Sequence, residues 1–217
     1  RVAIIAAGSG AILMMNLMKQ LPNIDPAVVY DDTPDKQGKR LWGVPIRGKV
    51  DSVAIKNDFD NGIFDAVIIS VGTNNAFRKK IWNELTALEI PFTNLIHPST
   101  IIEENTEIGT GNILLGNNYI GTFTKIGNNC YIAANVSLDH HNSIGNHCTF
   151  GPGVMTSGGV TIGNEAKFGT GVFIEPKVKI GANALVASGS IINFHVPEKA
   201  IVRLPESAKA IIVKQDS

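Results

Sequence analysis

The sequence predicts a small parallel α/β unit over residues 1–97, followed by a triangular parallel β solenoid over residues 98–217 that ends in a C-terminal tail. Three observations carry this expectation. A large apolar residue recurs at every sixth position from Ile102 to Ile192. A strand, glycine turn, helix, strand and acidic pair open the chain in that order. The chain also holds 22 glycines in 217 residues with only 18% charged residues, a composition that prompts a search for repeats.

Charge and composition narrow the function first. The 19 Lys and Arg balance 19 Asp and Glu, and a net charge of zero argues against nucleic acid or an anionic membrane as the main partner. At 44% hydrophobic the chain can bury a core and is not disordered. The longest apolar stretch near the N-terminus is broken by Gly8-Ser9-Gly10, so neither a transmembrane span nor a signal peptide is expected. Because the chain opens at Arg1 rather than Met, at least one residue is expected to precede it. The two cysteines, Cys130 and Cys148, are too few for a disulfide scaffold or a Cys-rich zinc site, and they fit a reducing cytoplasm.

Val2-Ala3-Ile4-Ile5-Ala6 reads as a buried strand, followed by Ala7-Gly8-Ser9-Gly10-Ala11 and a helix from Ile12 to Gln20. Val28-Val29-Tyr30 is the next strand and runs into Asp31-Asp32. Ala66 to Val71 is a further buried strand ending at Gly72, and Asn75 to Ala87 is helical, with Arg78-Lys79-Lys80 on it. This order is the pattern of a Rossmann-like nucleotide-binding unit. The full G-x-G-x-x-G is absent, since Gly8 and Gly10 are followed by Leu13. The acids that end the second strand favour a bound ligand. The alternative is that the glycines only make a tight turn and the acids only cap a loop. Ile90-Pro91-Phe92 and Ile96-His97-Pro98-Ser99 read as the join to the second half.

In that half, Ile-Gly recurs at 108, 126, 144, 162 and 180, always 18 residues apart. Of the sixteen positions in the six-residue register, fifteen are large and apolar and only Thr156 departs. A column two residues earlier, from Thr100 to Ser190, is uniformly small or medium. Neither a helix nor an ordinary strand repeats every six residues. Three short strands per 18-residue coil do, with the large residue filling each side, the small one near a corner and glycine taking the turn. Cys130 and Cys148 fall in the inward small column one coil apart, which reads as buried structural thiols.

An α/β unit followed by a six-residue-repeat solenoid resembles the bacterial nucleotide-sugar acetyltransferases of the left-handed β-helix (hexapeptide) superfamily. These include sialic-acid O-acetyltransferases and the UDP-4-amino-sugar N-acetyltransferases of bacillosamine synthesis. The matching pieces are Ala7-Gly8-Ser9-Gly10, Tyr30-Asp31-Asp32, Ser70-Val71-Gly72-Thr73-Asn74, Leu95-Ile96-His97-Pro98 and Asp139-His140-His141-Asn142-Ser143-Ile144-Gly145. The resemblance implies a cytoplasmic homotrimer that takes an acetyl group from acetyl-CoA, without a metal, to the amine of a nucleotide-linked 4-amino-4,6-dideoxy sugar. It implies His140 as the catalytic base, with His141 beside it. It implies Ser9, Gly10, Ala11, Asp31, Asp32 and Gly72 at the nucleotide sugar, and Thr149, Gly158, Thr170 and Ser188 along acetyl-CoA. Where an acid often follows the base in such enzymes, this chain has His141; where a second histidine contacts CoA, it has Thr149; and Arg203-Leu204-Pro205-Glu206 replaces the usual C-terminal run.

The chemistry gives independent reasons. Transfer from a thioester needs a base, donors for the tetrahedral oxyanion and orientation of both substrates. Histidine suits the first task. One coil on from His140 the chain has Gly158, whose missing side chain leaves room beside the imidazole and whose N–H can serve the oxyanion. His97 reads as a linker residue, His147 as a solvated corner residue and His195 as a terminal-coil residue. A solenoid metalloenzyme of the gamma carbonic anhydrase kind needs three converging histidines, and His140, His141 and His147 fall within one half-coil with no third distant ligand. O-acetylation of a sialic-acid-like sugar and a non-catalytic nucleotide-sugar-binding role are the alternatives.

Overall fold

The computed structural model describes residues 1–205; the tail from 206 on, with Glu206 of the C-terminal run, lies outside the described residues. Strand β1 (Val2–Ile5) is buried along its whole length, which is why four consecutive apolar residues encode it rather than an alternation. It pairs in parallel with β2 (Pro26–Tyr30) and β5 (Ala66–Ile69), and β2 pairs with β4 (Val44–Gly48). A short β3 (Arg40–Leu41) adds antiparallel to β4 and completes the order β3-β4-β2-β1-β5. Helix α1 (Ser9–Met18) begins at Ser9 rather than Ile12, with extended Gly8 as its N-cap, so the glycine turn is itself the first turn of the helix. Helices α2 (Ser52–Asp60) and α3 (Asn75–Ala87) are capped by Asp51 and Asn74, whose side chains accept from Ala54 N–H and Phe77 N–H.

The second half is a parallel β-helix of two-residue strands in three sheets. The first face stacks six, among them Tyr119–Ile120, Ser137–Leu138, Met155–Thr156 and Phe173–Ile174. The second stacks five, including Ser143–Ile144 and Thr161–Ile162; the third stacks seven, beginning at Leu95–Ile96. From Leu114 to Ile192 every residue of the six-residue register is buried, and so is every residue of the small column from Asn112 to Ser190. Burying one apolar side chain per strand is worth roughly 1.5–3 kcal/mol. The buried asparagines of the small column tie coils together: Asn112, Asn118 and Asn142 accept from Cys130, Val136 and Val160 N–H at 2.7–2.8 Å.

The turn chemistry differs from the expectation that the Ile-Gly glycines make the corners. The residue in the left-handed region at each corner is drawn from another column: Asn105, Phe123, His141, Gly159 and Lys177 follow the first face, all with positive φ. The Ile-Gly glycines are required for close approach instead. A Cβ on Gly109 would lie 2.3 Å from Asn128 Oδ1, and one on Gly145 would lie 2.5 Å from Asn164 Oδ1.

The α/β unit packs on the third face, where Leu95 and Ile113 join the core of α1. Helix α3 lies against the corner between the second and third faces. There Arg78 is fully buried and donates to Gly72 O at 3.2 Å, His147 O at 2.8 Å and Cys148 O at 3.1 Å. Cys130 and Cys148 are buried, free thiols beneath it. Among the described residues no helix is long and apolar enough to cross a membrane, and no three His, Cys, Asp or Glu side chains converge as a metal-binding group.

His147 is not a solvated corner residue. Helix α3 covers it, leaving 8% of its surface exposed. Its Nδ1 lies 2.9 Å from Asn129 Nδ2, which can only donate, so the ring is neutral with its proton on Nε2. Burial first, then the Arg78 guanidinium and Lys79, push it down from 6.5 to about 4, against the opposing pull of Glu165. A depressed folded-state value means that the fold prefers the neutral ring. The contribution is fully present above about pH 6.5 and is lost as pH falls toward 4. It is on the order of 2 kcal/mol. His147→Asn keeps the left-handed corner, and its melting temperature should fall less steeply over this window than that of the wild type. Parallel slopes would assign the acid sensitivity to other groups.

Candidate active site

Two surfaces carry the residues singled out above. The first is the corner between the first and second faces, formed by the turn Asp139–Asn142. His141 is its left-handed residue, with φ 58°, and donates its N–H to Thr122 O at 2.9 Å. Asn142 is buried and donates Nδ2 to Asp139 O at 2.7 Å, closing the turn. His140 is exposed, and the next coil runs directly beside its ring: a Cβ on Gly158 would lie 2.4 Å from Cε1 and 2.6 Å from Nε2. Among the described residues Gly158 N–H has no hydrogen-bond acceptor, whereas Gly159 N–H donates to His140 O at 2.9 Å. An exposed imidazole and a backbone N–H without an acceptor among the described residues therefore lie on adjacent coils of the same corner.

The acid next to His140 does not reach its ring. Asp139 Oδ1 accepts from the backbone N–H of His140 at 2.8 Å. The imidazole meets His141 instead, Nδ1 to Nδ1 at 3.0 Å, with the two rings nearly perpendicular. One nitrogen of that pair must donate and the other accept. On its far side His141 packs on Phe123, ring centroids 5.0 Å apart. Phe123 is exposed and holds φ 58°, a conformation that costs a bulky residue about 1–2 kcal/mol. Sequence reasoning passed over Phe123. The signal was an aromatic residue in a corner column otherwise filled by Asn, His, Gly and Lys.

The second surface is a cleft between the α/β unit and the third face. Its upper part, about 290 Å³, is bordered by Gly8, Ser9, Gly10, Ser70, Gly72 and Tyr131. It continues, past Gly72 and Tyr131, into an apolar groove of about 490 Å³ that reaches Thr149, Gly151, Thr170 and Ser188. Ser9 and Gly10, the first residues of α1, border the upper part, and the helix N-terminus has no side-chain cap; the positive end of the helix dipole there favours an anion.

The structure sorts the expected ligand-binding residues. Ser9, Gly10 and Gly72 line the upper cleft. Gly10 has a further, steric role: a Cβ there would lie 2.0 Å from Ser70 O. Ala11 does not face the cleft; it is fully buried in the core under α1, and its N–H donates to Gly8 O at 3.1 Å. Asp31 is buried and holds the loop before α1. Its Oδ2 accepts from Ala7 N–H at 2.6 Å and its Oδ1 from Thr33 N–H at 2.9 Å. Burial alone would raise this carboxyl, but the Thr33, Ala7 and Lys36 hydrogen bonds hold it below the usual range. Asp32 is exposed and accepts from Val50 N–H at 2.9 Å. Thr149 is buried at the join of the two halves, with Oγ1 2.7 Å from Asn75 Oδ1 and 3.1 Å from Gly72 O. Thr170 and Ser188 border the groove, whereas Gly158 belongs to the other corner, so one chain does not bring all four together. Lys167, whose Nζ donates to Thr73 O at 2.9 Å across the groove, was not singled out from sequence because a lone outward lysine on a strand carries no pattern.

Residues 123–158 match the family described as bacterial transferase hexapeptide (six repeats), and residues 141–176 match the hexapeptide repeat of succinyl-transferase. A search of curated proteins finds no match. Among solved structures the chain is similar to PerB from Caulobacter crescentus in complex with CoA and GDP-perosamine, at 25% identity and a TM-score of 0.83 over 92% of each chain. The acetyltransferase domain of PglB from Neisseria gonorrhoeae, in complex with acetyl coenzyme A, shares the fold at 24% identity and a TM-score of 0.83, over 92% of this chain and 94% of that one.

Proposed function

We propose that this chain, an acyltransferase of the hexapeptide superfamily resembling the nucleotide-sugar acetyltransferases, moves the acetyl group of acetyl-CoA to the amine of a nucleotide-linked 4-amino-4,6-dideoxy sugar. The single observation that carries this reading is the pairing of an exposed imidazole with a free backbone N–H at His140 and Gly158. His140 Nε2 takes a proton from the attacking amine while the amine nitrogen bonds to the thioester carbonyl carbon. Gly158 N–H stabilises the oxyanion. Collapse breaks the C–S bond, and the thiolate leaves with the proton from His140. With Nε2 free as the base, Nδ1 of His140 carries the other proton and His141 Nδ1 accepts it, so His141 takes the orienting role that an acid would otherwise fill.

The residues suit a CoA-like arm. Its groove is apolar, and the corner beside it is bare: nothing lies within 4 Å of a Cβ built on Gly153 or Gly171. Acetyl-CoA supplies the activated acetyl group. Residues 1–97, a Rossmann-like unit, hold the nucleotide sugar, with its diphosphate at the N-terminus of α1 near Ser9 and Gly10; Asp31 shapes that loop from behind. The second domain, residues 98–217, a left-handed β-helix followed by a C-terminal tail, carries the transfer chemistry. The free, buried thiols support a cytoplasmic setting.

The working unit on this reading is a homotrimer. Five of the six outward residues of the first face are apolar and exposed, Ile101, Tyr119, Met155, Phe173 and Ile191, with Ser137 between them, while the second face presents Glu107, Lys125, Ser143, Thr161 and Lys179. A face of that kind suits burial against another copy. With the first faces turned inward in a closed ring, the His140 corner of one chain adjoins the Thr170 and Ser188 corner of its neighbour. That arrangement supports a shared site.

The test is turnover of acetyl-CoA against GDP-, UDP- and dTDP-linked amino sugars and their hydroxyl counterparts, read by release of free CoA thiol. An amide product with one nucleotide series is expected. Reaction only with hydroxyl acceptors would make the enzyme an O-acetyltransferase, and binding of nucleotide sugar without any turnover would make it a sensor.

A further inference from the structure

Thr156 is the only non-apolar residue in the six-residue register, and it is 96% buried, with 4% of its surface exposed. Its hydroxyl faces the turn that carries both histidines. Oγ1 accepts from Asn142 Nδ2 at 2.6 Å and from Asp139 N–H at 3.2 Å. The ladder is opened at this step. Asp139 N–H lies 3.4 Å from Thr156 O, whereas the equivalent bonds in flanking coils, Glu103 to Ile120, Gly121 to Leu138 and Ser157 to Ile174, are 2.8–2.9 Å. No other large-residue position of the register offers a side-chain acceptor.

We infer that Thr156 is a positioning residue for the transfer reaction. Its hydroxyl holds Asp139 off the regular ladder and, through Asn142, fixes the turn that aims His140 at Gly158. This rests on His140 as the base. An apolar residue here, as at the fifteen other positions, leaves Asp139 N–H only the carbonyl of residue 156. The peptide before His140 then closes toward the regular spacing and carries the imidazole with it. Displacements below 1 Å at a reacting group lower turnover by about 10–100-fold.

Thr156→Val is nearly isosteric and restores the repeat. It should lower kcat by about 10–100-fold, leave the KM of both substrates within about twofold, and melt no earlier than the wild type, while Thr156→Ser keeps native kcat. Native kcat in Thr156→Val overturns the inference, as does equal loss in Thr156→Ser, where the acceptor is retained. Should Thr156→Val melt early, Thr156→Cys is read in its place: the same kcat loss is expected, and native kcat there overturns the inference. His140→Ala is run alongside. Loss in His140→Ala with native Thr156→Val removes only this inference, whereas native kcat in His140→Ala removes the base reading itself.

Discussion

Replacing His140 with alanine should lower kcat by about 10²–10⁴-fold, the range for a positioned acid–base group. Both substrates should still bind, because the cleft proposed to hold them is lined by residues away from the His140 corner. The variant should keep its melting temperature, since His140 is exposed, with its ring beside His141 and Gly158. His141→Ala should cost less: it removes the partner of His140 Nδ1 and leaves the proposed base in place. The proposed sharing of the site between chains has a sharper consequence. A chain blocked in the groove, Ser188→Trp, and a His140→Ala chain are each inactive alone. Mixed and reassembled, they regain activity, because some interfaces then pair an intact His140 corner with an intact Ser188 corner. Recovery on mixing is the expected result; none would mean that each chain works with its own two corners. Near-native kcat in His140→Ala would move the base to His141.

The solenoid was legible because its signal is repeated. Sixteen register positions at fixed spacing leave no other architecture, and their burial from Leu114 to Ile192 follows directly. His140 and Gly158 were legible for the same reason: 18 residues apart means stacked, and a Cβ added at Gly158 would meet the imidazole. The α/β unit was read less completely. Helix α2 fully buries only Ile55, so its apolar pattern is weak, and β3 has two residues. The contacts of Asp31 could not be read from its position at a strand end, because the same position serves a ligand or the protein's own Ala7 N–H. His147 was misread since its cover comes from α3, about 70 residues away in sequence, and no local pattern encodes that packing. The single exception in the register, Thr156, was visible in the sequence. Its meaning required the stretched ladder bond beside it.

Two adjacent glycines should respond in opposite ways to the smallest possible change. Gly158 lies outside the left-handed region, so its backbone accepts alanine without strain. The new methyl group, however, would sit 2.4–3.0 Å from three atoms of the His140 ring. The imidazole is exposed and would swing out toward solvent, which takes the proposed base away from Gly158. Gly158→Ala should therefore lower kcat by at least about 10²-fold with an unchanged melting temperature. Gly159 is the reverse case. Its φ is +72°, and among the described residues the atom nearest an added Cβ is Lys177 Cγ at 3.5 Å. Gly159→Ala strains the corner by about 1–2 kcal/mol and crowds nothing at His140, so stability falls and kcat stays near native. Thermal melting and steady-state kinetics on the two variants separate the cases. A Gly158→Ala enzyme with native kcat would mean that the ring can act from its displaced position, and that the space beside it is not where the acetyl group lies.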